Sequence, residues 1–121
     1  MDTGTIILFA VVLIGFGLVR QYLANARGTV SPDEVRALVD AGAVVVDVRT
    51  PGEYAAGHYP GAINIPLDEI VHRSDELGKA DSPLVLYCNS GRRSGLARTR
   101  LRKAGFETCV NAGSLARLSS R

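Results

Sequence analysis

The stretch LVLYCNSGRRS, residues 84–94, decides the fold of this chain. Its first four residues, 84–87, are apolar and predict a short buried strand. A turn that contains Gly91 follows, and the sequence from Ser94 to Ala104 predicts a helix. A buried strand that leads through a tight turn into a helix is typical of sheets whose strands run parallel and are joined by helices.

The sequence on either side repeats this alternation of strands and helices. Further strands are predicted at 43–48, 62–65 and 106–110, helix starts at the capping boxes 31–34 and 50–53, and a third helix at 67–73. A proline occupies the first helical position after each capping residue, which favours a helix start there. We predict an α/β domain with a mainly parallel central sheet and helices on both faces.

The composition excludes several classes of protein. Among 121 residues, 14 lysines and arginines against 12 aspartates and glutamates leave a net charge of +2, too little for a disordered polyelectrolyte. Two cysteines exclude a disulfide-rich scaffold, and the lack of C-x-x-C and H-x-x-x-H spacings argues against structural zinc. The charge is uneven, because residues 28–91 are acidic while residues 92–121 carry eight basic side chains and one acidic one.

A basic cluster accounts for much of this positive excess, and it consists of Arg98, Arg100, Arg102 and Lys103. No aromatic residue is interleaved with the cluster, so we expect no nucleic-acid partner. Two interpretations remain open. The cluster is either a solvated helix face or a surface that attracts anions, whether substrates or acidic lipid headgroups.

The N-terminal segment is uncharged over Thr3–Val19. As a helix these 17 residues span about 25 Å, slightly less than the roughly 30 Å of a membrane hydrocarbon core. Snorkelling by Arg20 would extend the apolar length to Leu23. We therefore predict a single-pass transmembrane anchor in residues 1–27, followed by one domain at 28–121.

The charges that flank this run predict a topology. Asp2 precedes the run, and Arg20 and Arg27 follow it. The positive-inside rule then places the domain on the cytoplasmic side of a bacterial inner membrane. Two alternatives stay open: a cleaved signal peptide, because ANA at 24–26 resembles a cleavage site, and a buried core helix.

Cys88 is the strongest candidate for a reactive residue. It stands at the carboxyl end of a predicted buried strand, where ligands bind in open α/β sheets. Free N–H groups at the following helix start, together with Arg92 and Arg93, stabilise a thiolate and lower the pKa of the thiol. The sequence predicts a nucleophilic cysteine that holds a negatively charged adduct. The alternative is an inert buried cysteine beside two solvated arginines.

The spacing of this loop separates two chemistries. Cys88 and Arg93 form C-x4-R, whereas cysteine phosphatases use C-x5-R and need the arginine one position later, where this chain has Ser94. The shorter loop makes a smaller cup, which suits one extra sulfur atom on the cysteine. We therefore predict that Cys88 is catalytic.

Three motifs in the same order resemble the single-domain rhodaneses, a family of sulfurtransferases, and most closely the small phage-shock type. The motifs are VDVR at 46–49 with EY at 53–54 and GHYPGAINIP at 57–66, then LYCNSGRRS at 86–94, and finally AGF at 104–106 with NAGSL at 111–115. The last motif departs from the family, which often has Gly-Gly where this chain has Gly113-Ser114.

The resemblance implies a rhodanese-like fold and a mechanism that needs no metal or organic cofactor. It also implies that the substrate-binding residues are Asn89, Ser90, Gly91, Arg92 and Arg93. The Cys88 thiolate takes the outer sulfur of thiosulfate or a similar donor, becomes a persulfide, and passes the sulfur to a thiol or protein acceptor. Arg93 would close the loop, Arg92 would help to bind the dianionic donor, and Asp47 and Arg49 would act as scaffold residues.

Other functions are weighed against this one. A non-catalytic rhodanese-like binding module, or a sulfur carrier or sensor, is the main alternative. We interpret Cys109 as a buried small hydrophobe rather than as a resolving thiol for Cys88. His58 follows a glycine at a turn and is interpreted as a structural hydrogen-bonding residue.

Overall fold

The computed structural model describes residues 2–27 and 29–119. The described residues form five α-helices and four strands, in this order: α1 Thr3–Arg27, α2 Pro32–Asp40, β1 Val44–Asp47, α3 Pro51–Ala56, β2 Ile63–Asn64, β3 Leu84–Cys88, α4 Arg92–Lys103, β4 Cys109–Ser114 and α5 Leu115–Ser119. The strands form one sheet in the order β2-β1-β3-β4, and every neighbouring pair is parallel. The predicted parallel α/β architecture is confirmed.

Alternation along β3 divides the core into two layers. Leu86 and Cys88 pack on one face of the sheet with Ala97 of α4. Val85 and Tyr87 point to the opposite face and pack in a second layer. Successive side chains of a strand face opposite sides of the sheet, so Cys88 necessarily lies on the side covered by α4.

The capping sequences begin their helices as predicted. Thr50 and Glu53 form a complete capping box at α3, in which each side chain bonds the other residue's backbone N–H. Ser31 caps α2 by accepting the N–H of Glu34 at 3.2 Å. These local bonds fix where the two helices start, because they satisfy donors that the helix itself leaves unpaired.

Two predicted elements differ from the structure. The helix expected at 67–73 is replaced by two 3-10 turns, Leu67–Glu69 and Ser74–Leu77, which bury Ile70 and Leu77 in the core. The last strand lies over Cys109–Ser114 instead of 106–110, because Phe106 closes the end of α4 by donating its N–H to the carbonyl of Leu101. In both cases, packing of buried side chains outweighs the local pattern.

The predicted membrane anchor is wrong. Within residues 2–27 and 29–119, no helix is long and apolar enough to cross a membrane. The uncharged part of α1 ends at Val19, and a run of about 25 Å falls short of a core of about 30 Å unless Arg20 enters with it. The predicted location in a bacterial inner membrane with a cytoplasmic catalytic domain is wrong as well, because it depended on the anchor. The predicted domain boundary at residue 28 lies outside the described residues.

Candidate active site

Cys88 is the last residue of β3 and its side chain is fully buried. The backbone N–H of Gly91 donates to the Cys88 Sγ atom at 3.0 Å, and the Ser94 hydroxyl lies 3.4 Å from the same sulfur. The loop from Asn89 to Gly91 therefore bends back over the sulfur before α4 begins. The structure places the thiol at the floor of a short loop whose N–H groups point at it.

The surroundings of Cys88 lower the pKa of its thiol below the ordinary value. Burial acts in the opposite direction and is the largest single effect. It is outweighed by hydrogen bonds from the Ser94 hydroxyl and from the backbone N–H groups of Ser94, Ser90 and Gly91. The predicted lowering of this pKa is present, and hydrogen-bond donors produce it by favouring the charged form of the sulfur.

Gly91 makes the tight loop possible. Its φ angle is +89°, in the region that side chains with a Cβ disfavour. A Cβ atom at this position would also lie 3.2 Å from the Cα atom of Gly113 in β4. Only glycine satisfies both the backbone conformation and this close approach without strain.

Glu53 of α3 holds the side chains of Asn89 and Arg93. Both terminal nitrogens of the Arg93 guanidinium donate to its carboxylate, at 2.7 and 3.0 Å, and the Asn89 amide donates to it as well. The hydrogen bond from Arg93 lowers the pKa of Glu53 to about 2. We call these three residues the Glu53 clamp. It ties the loop to α3 and compensates the Arg93 charge.

A buried ion pair between Arg49 and Asp47 contacts the clamp through Asn89. Arg49 donates from Nη2 to the Asp47 carboxylate at 2.7 Å and from Nη1 to the Asn89 side-chain oxygen at 3.0 Å. The Tyr87 hydroxyl donates to the same carboxylate at 2.8 Å, and burial raises its pKa to about 12. Arg49 thus connects Asp47 to the loop through Asn89, an arrangement that fits the predicted scaffold role of Asp47 and Arg49.

Asn111 is a site residue that sequence reasoning missed. Its amide nitrogen donates to the carbonyl of Gly91 at 2.9 Å, and its amide oxygen accepts from the Ser94 hydroxyl at 2.7 Å and from the Gly113 N–H at 2.9 Å. Asn111 lies opposite Leu86 in the sheet, where the pairing of β3 and β4 is irregular. Its place in the NAGSL motif was the one available signal.

The remaining predicted site residues are exposed. Ser90 accepts a hydrogen bond from the N–H of Arg92 at 3.4 Å, and both side chains face solvent. Arg92 is therefore the loop arginine whose charge faces outward, whereas Arg93 is bound to Glu53. The five predicted binding residues thus have three different positions. The side chains of Asn89 and Arg93 belong to the Glu53 clamp, Gly91 forms the turn at the Cys88 sulfur, and Ser90 and Arg92 lie at the surface.

The positions of Cys109 and His58 fit structural roles rather than catalytic ones. Cys109 is buried and unoxidised, and burial raises the pKa of its thiol. It lies opposite Leu84, four residues from Cys88 along β3, which is about 13 Å and too far for a disulfide without rearrangement. His58 stacks on Tyr54 with ring centroids 3.8 Å apart.

Comparison with known proteins identifies the fold family. The rhodanese-like domain model matches residues 31–119, which include both core layers and the whole Cys88 loop. The chain belongs to the rhodanese family. The resemblance of the three sequence motifs is thereby confirmed at the level of the family, and the fold is a rhodanese-like α/β fold.

Two relatives of this rhodanese domain have names that refer to sulfur chemistry. The thiosulfate sulfurtransferase PspE of Escherichia coli is 41% identical over 71 residues, which cover 58% of this chain and 68% of that protein. A Bacillus subtilis protein whose name proposes a sulfur-carrier role, YrkF, is 40% identical over 67 residues, 55% of this chain and 36% of its own length.

A solved structure of a human single-domain sulfurtransferase matches this fold with a TM-score of 0.67 and 35% sequence identity. The match covers 74% of this chain and 92% of the human one. The chain is therefore similar to a free-standing sulfurtransferase domain over nearly the whole length of that domain.

Proposed function

We propose that this rhodanese domain is a thiosulfate-type sulfurtransferase that works through a persulfide on Cys88. The observation that carries the proposal is the placement of the sulfur: a buried thiol of lowered pKa, 3.0 Å from the Gly91 N–H, in a loop that begins a helix. A thiolate is the nucleophile in sulfur transfer, and this loop favours the thiolate.

The first half-reaction loads the enzyme. The Cys88 thiolate attacks the outer sulfur of thiosulfate, a new S–S bond forms, and the bond between the outer sulfur and the sulfonate sulfur breaks. Sulfite leaves with the electron pair, and a Cys88 persulfide anion remains. One S–S bond replaces another, and the electron pair of the broken bond leaves with sulfite, so no external oxidant or reductant is needed.

The second half-reaction removes the transferred sulfur from Cys88. A thiophilic acceptor, which is cyanide in the laboratory and a thiol or protein in the cell, attacks the outer persulfide sulfur. The Cys88 thiolate is the leaving group and is regenerated. The same N–H groups that favour the thiolate serve here too, because they lower the energy of the charge that returns to the Cys88 sulfur.

The loop residues divide the remaining work. The N–H groups over residues 89–93 stabilise the persulfide anion, and exposed Arg92 attracts the dianionic donor. Arg93 and Asn89 keep the loop closed through Glu53. The sequence motifs support the phage-shock subtype in this proposal, and the name of the Escherichia coli relative supports thiosulfate or a similar sulfane donor.

The test is sulfur transfer from thiosulfate to cyanide, followed as thiocyanate. We expect turnover by the wild-type chain and none by Cys88→Ser, since serine removes the nucleophilic sulfur and preserves the shape of the site. Cys109→Ser is the matched control, and we expect it to keep its activity. Wild type without turnover, or Cys88→Ser with turnover, would contradict the proposal.

A sulfur carrier is the second candidate function, and the Bacillus subtilis relative favours it. A carrier also holds a Cys88 persulfide but delivers it once to a protein instead of turning over small molecules. Under this alternative the persulfide forms stoichiometrically with thiosulfate, and cyanide does not bring about repeated turnover.

A further inference from the structure

One face of α4 is exposed, basic and continuous with the Cys88 loop. Its members are Arg92, Leu96, Arg100 and Lys103, all exposed. They follow one another at intervals of four, four and three residues, so they form a single stripe along the helix. The stripe extends about 16 Å from the loop to the end of α4. We call it the α4 basic face.

The charges of the α4 basic face are not compensated within the described part of the chain. None of its three cations is in an ion pair there; Arg100 donates only to the carbonyl of Leu67, at 3.5 Å. Two carboxylates close to α4 are already paired with other arginines, because Glu53 binds Arg93 and Glu69 binds Arg73.

Helix stability explains only part of this face. Cations in the last turn of a helix interact favourably with its dipole, which accounts for Arg100 and Lys103. Arg92 stands in the first turn, where the same dipole opposes a positive charge. Leu96 is 47% exposed between the cations, although an apolar side chain gains nothing from water there. A partner surface accounts for the exposure of Leu96, and Arg92, which also attracts the donor, adds its charge to the same face.

The position of the face points to the acceptor side of the reaction. Cys88 is fully buried, and the Gly91 N–H contacts its sulfur at 3.0 Å, so we expect an acceptor sulfur to approach beside the loop that ends at Gly91. The α4 basic face begins at the next residue, Arg92. A macromolecule seated on this face would bring a thiol directly to the loop opening.

We propose that the α4 basic face docks a protein with an acidic surface and an exposed cysteine, which receives the sulfur from Cys88. This inference rests on the proposed sulfurtransferase function. Cations attract and orient the acidic partner, and Leu96 supplies an apolar contact within the polar rim. Nucleic acid is disfavoured because the face has no aromatic side chain for base stacking.

The transfer step balances without an additional reactant. The partner's thiolate attacks the outer sulfur of the Cys88 persulfide and forms a new S–S bond. The bond between that sulfur and Cys88 breaks, and its electron pair returns to Cys88 as a thiolate. The outer sulfur keeps its negative charge, so the product is a persulfide anion on the partner.

The experiment compares three acceptors for the protein loaded with thiosulfate. Two are peptides of equal length with one cysteine, one rich in glutamate and the other with glutamine at those positions; the third is dithiothreitol. At low salt we expect kcat/KM for the glutamate peptide to exceed that for the glutamine peptide about tenfold. We expect added salt to remove most of this difference.

Charge reversal on the face then locates the effect. We expect the double variant R100E/K103E to lose most of the preference for the glutamate peptide and to keep its rate with dithiothreitol. R36E is the matched control, because Arg36 is exposed on α2, which packs against the opposite layer of the core through Val35. We expect R36E to behave as wild type.

Several outcomes would overturn the inference. The first is an equal kcat/KM for the two peptides, and the second is that R36E also loses the preference for the glutamate peptide. The third is that an RNA oligonucleotide or anionic vesicles bind the face while the glutamate peptide shows no advantage. Failure of the proposed function looks different, since no acceptor, dithiothreitol included, would then receive sulfur.

Discussion

At the scale of single residues, the reactivity of Cys88 depends on where a few protons point. The Ser94 hydroxyl has one proton and two acceptors within reach, the Asn111 oxygen at 2.7 Å and the Cys88 sulfur at 3.4 Å. We expect this proton to point to the Asn111 oxygen when the sulfur is a thiol, and to be redirected to the sulfur by rotation of the hydroxyl when the sulfur is a thiolate. The Asn111 oxygen then keeps the hydrogen bond from the Gly113 N–H. Ser94 is therefore a positioning residue for the charge on Cys88.

Ser94→Ala tests this arrangement. Loss of a hydrogen bond to a charged group costs about 1.5–3 kcal/mol, and one pKa unit corresponds to about 1.4 kcal/mol. We expect the pKa of Cys88 to rise by about one to two units, with less thiolate and slower transfer at neutral pH. The measurement is the ultraviolet absorbance of the thiolate against pH, alongside the pH profile of the rate.

The rate profile adds a control for this prediction. If Ser94 acts through the thiolate, the variant regains most of its rate at alkaline pH, and Ser94→Thr keeps the hydroxyl and the wild-type profile. A rate that falls equally at every pH, with an unchanged thiolate titration, would show that Ser94 has only a packing role.

At the scale of elements, the site is a junction between β3, α4 and β4. The loop after β3 turns at Gly91, and β4 approaches it so closely that Gly113 occupies the space of a side chain. The short β3–α4 connection was predictable, because the apolar run, the turn glycine and the helix lie within one stretch of sequence. The contact with β4 was not, because Asn111 reaches Gly91 only through a sheet register that the sequence does not specify.

Gly91→Ala tests the junction. The positive φ angle alone costs a residue with a Cβ about 1–2 kcal/mol, and the contact with Gly113 adds to that cost. We expect lower stability in urea unfolding together with a large loss of sulfur transfer. Gly42→Ala is the matched control, since Gly42 has a φ angle of +98° in open space after α2.

The two variants separate strain from function. We expect Gly42→Ala to lose stability and keep its activity, because its backbone strain is far from the loop. If Gly91→Ala kept full activity, the close approach of the loop to β4 would be irrelevant to sulfur transfer.

At the scale of the whole molecule, strands that have a local sequence signal were predicted correctly, whereas elements that depend on long-range packing were not. The strands at 43–48 and 84–87 are buried on both faces and therefore have continuous apolar sequences, which made the parallel sheet predictable. The 3-10 turns after Leu67 and the shifted β4 depend on which side chains the core accepts. The N-terminal prediction failed because it required a charged residue to lengthen an apolar run that ends at Val19.

At the same scale, the Glu53 clamp contributes to the pH dependence of the free energy of unfolding in acid. Arg93 depresses the pKa of Glu53 to about 2 from an ordinary value of 4.5. The stabilisation is therefore complete above pH 4.5 and is lost as the pH falls toward 2, because protonation of the carboxylate breaks the ion pair. We expect Glu53→Gln to remove this part of the acid dependence of thermal unfolding and to slow sulfur transfer.

Glu76→Gln is the control for the clamp, because Glu76 pairs with Arg73 at the surface, at 2.6 Å. We expect this variant to transfer sulfur at the wild-type rate. If Glu53→Gln and wild type lost stability in parallel over this pH range, the Glu53 clamp would not contribute to the fold.

The most direct test of the central claim is the mass of the Cys88 peptide before and after exposure to thiosulfate, and again after an acceptor thiol is added. The account predicts a gain of one sulfur atom on Cys88, none on Cys109, and loss of that sulfur when the acceptor is supplied. An unchanged mass at Cys88, in protein that is folded and reduced, would contradict it.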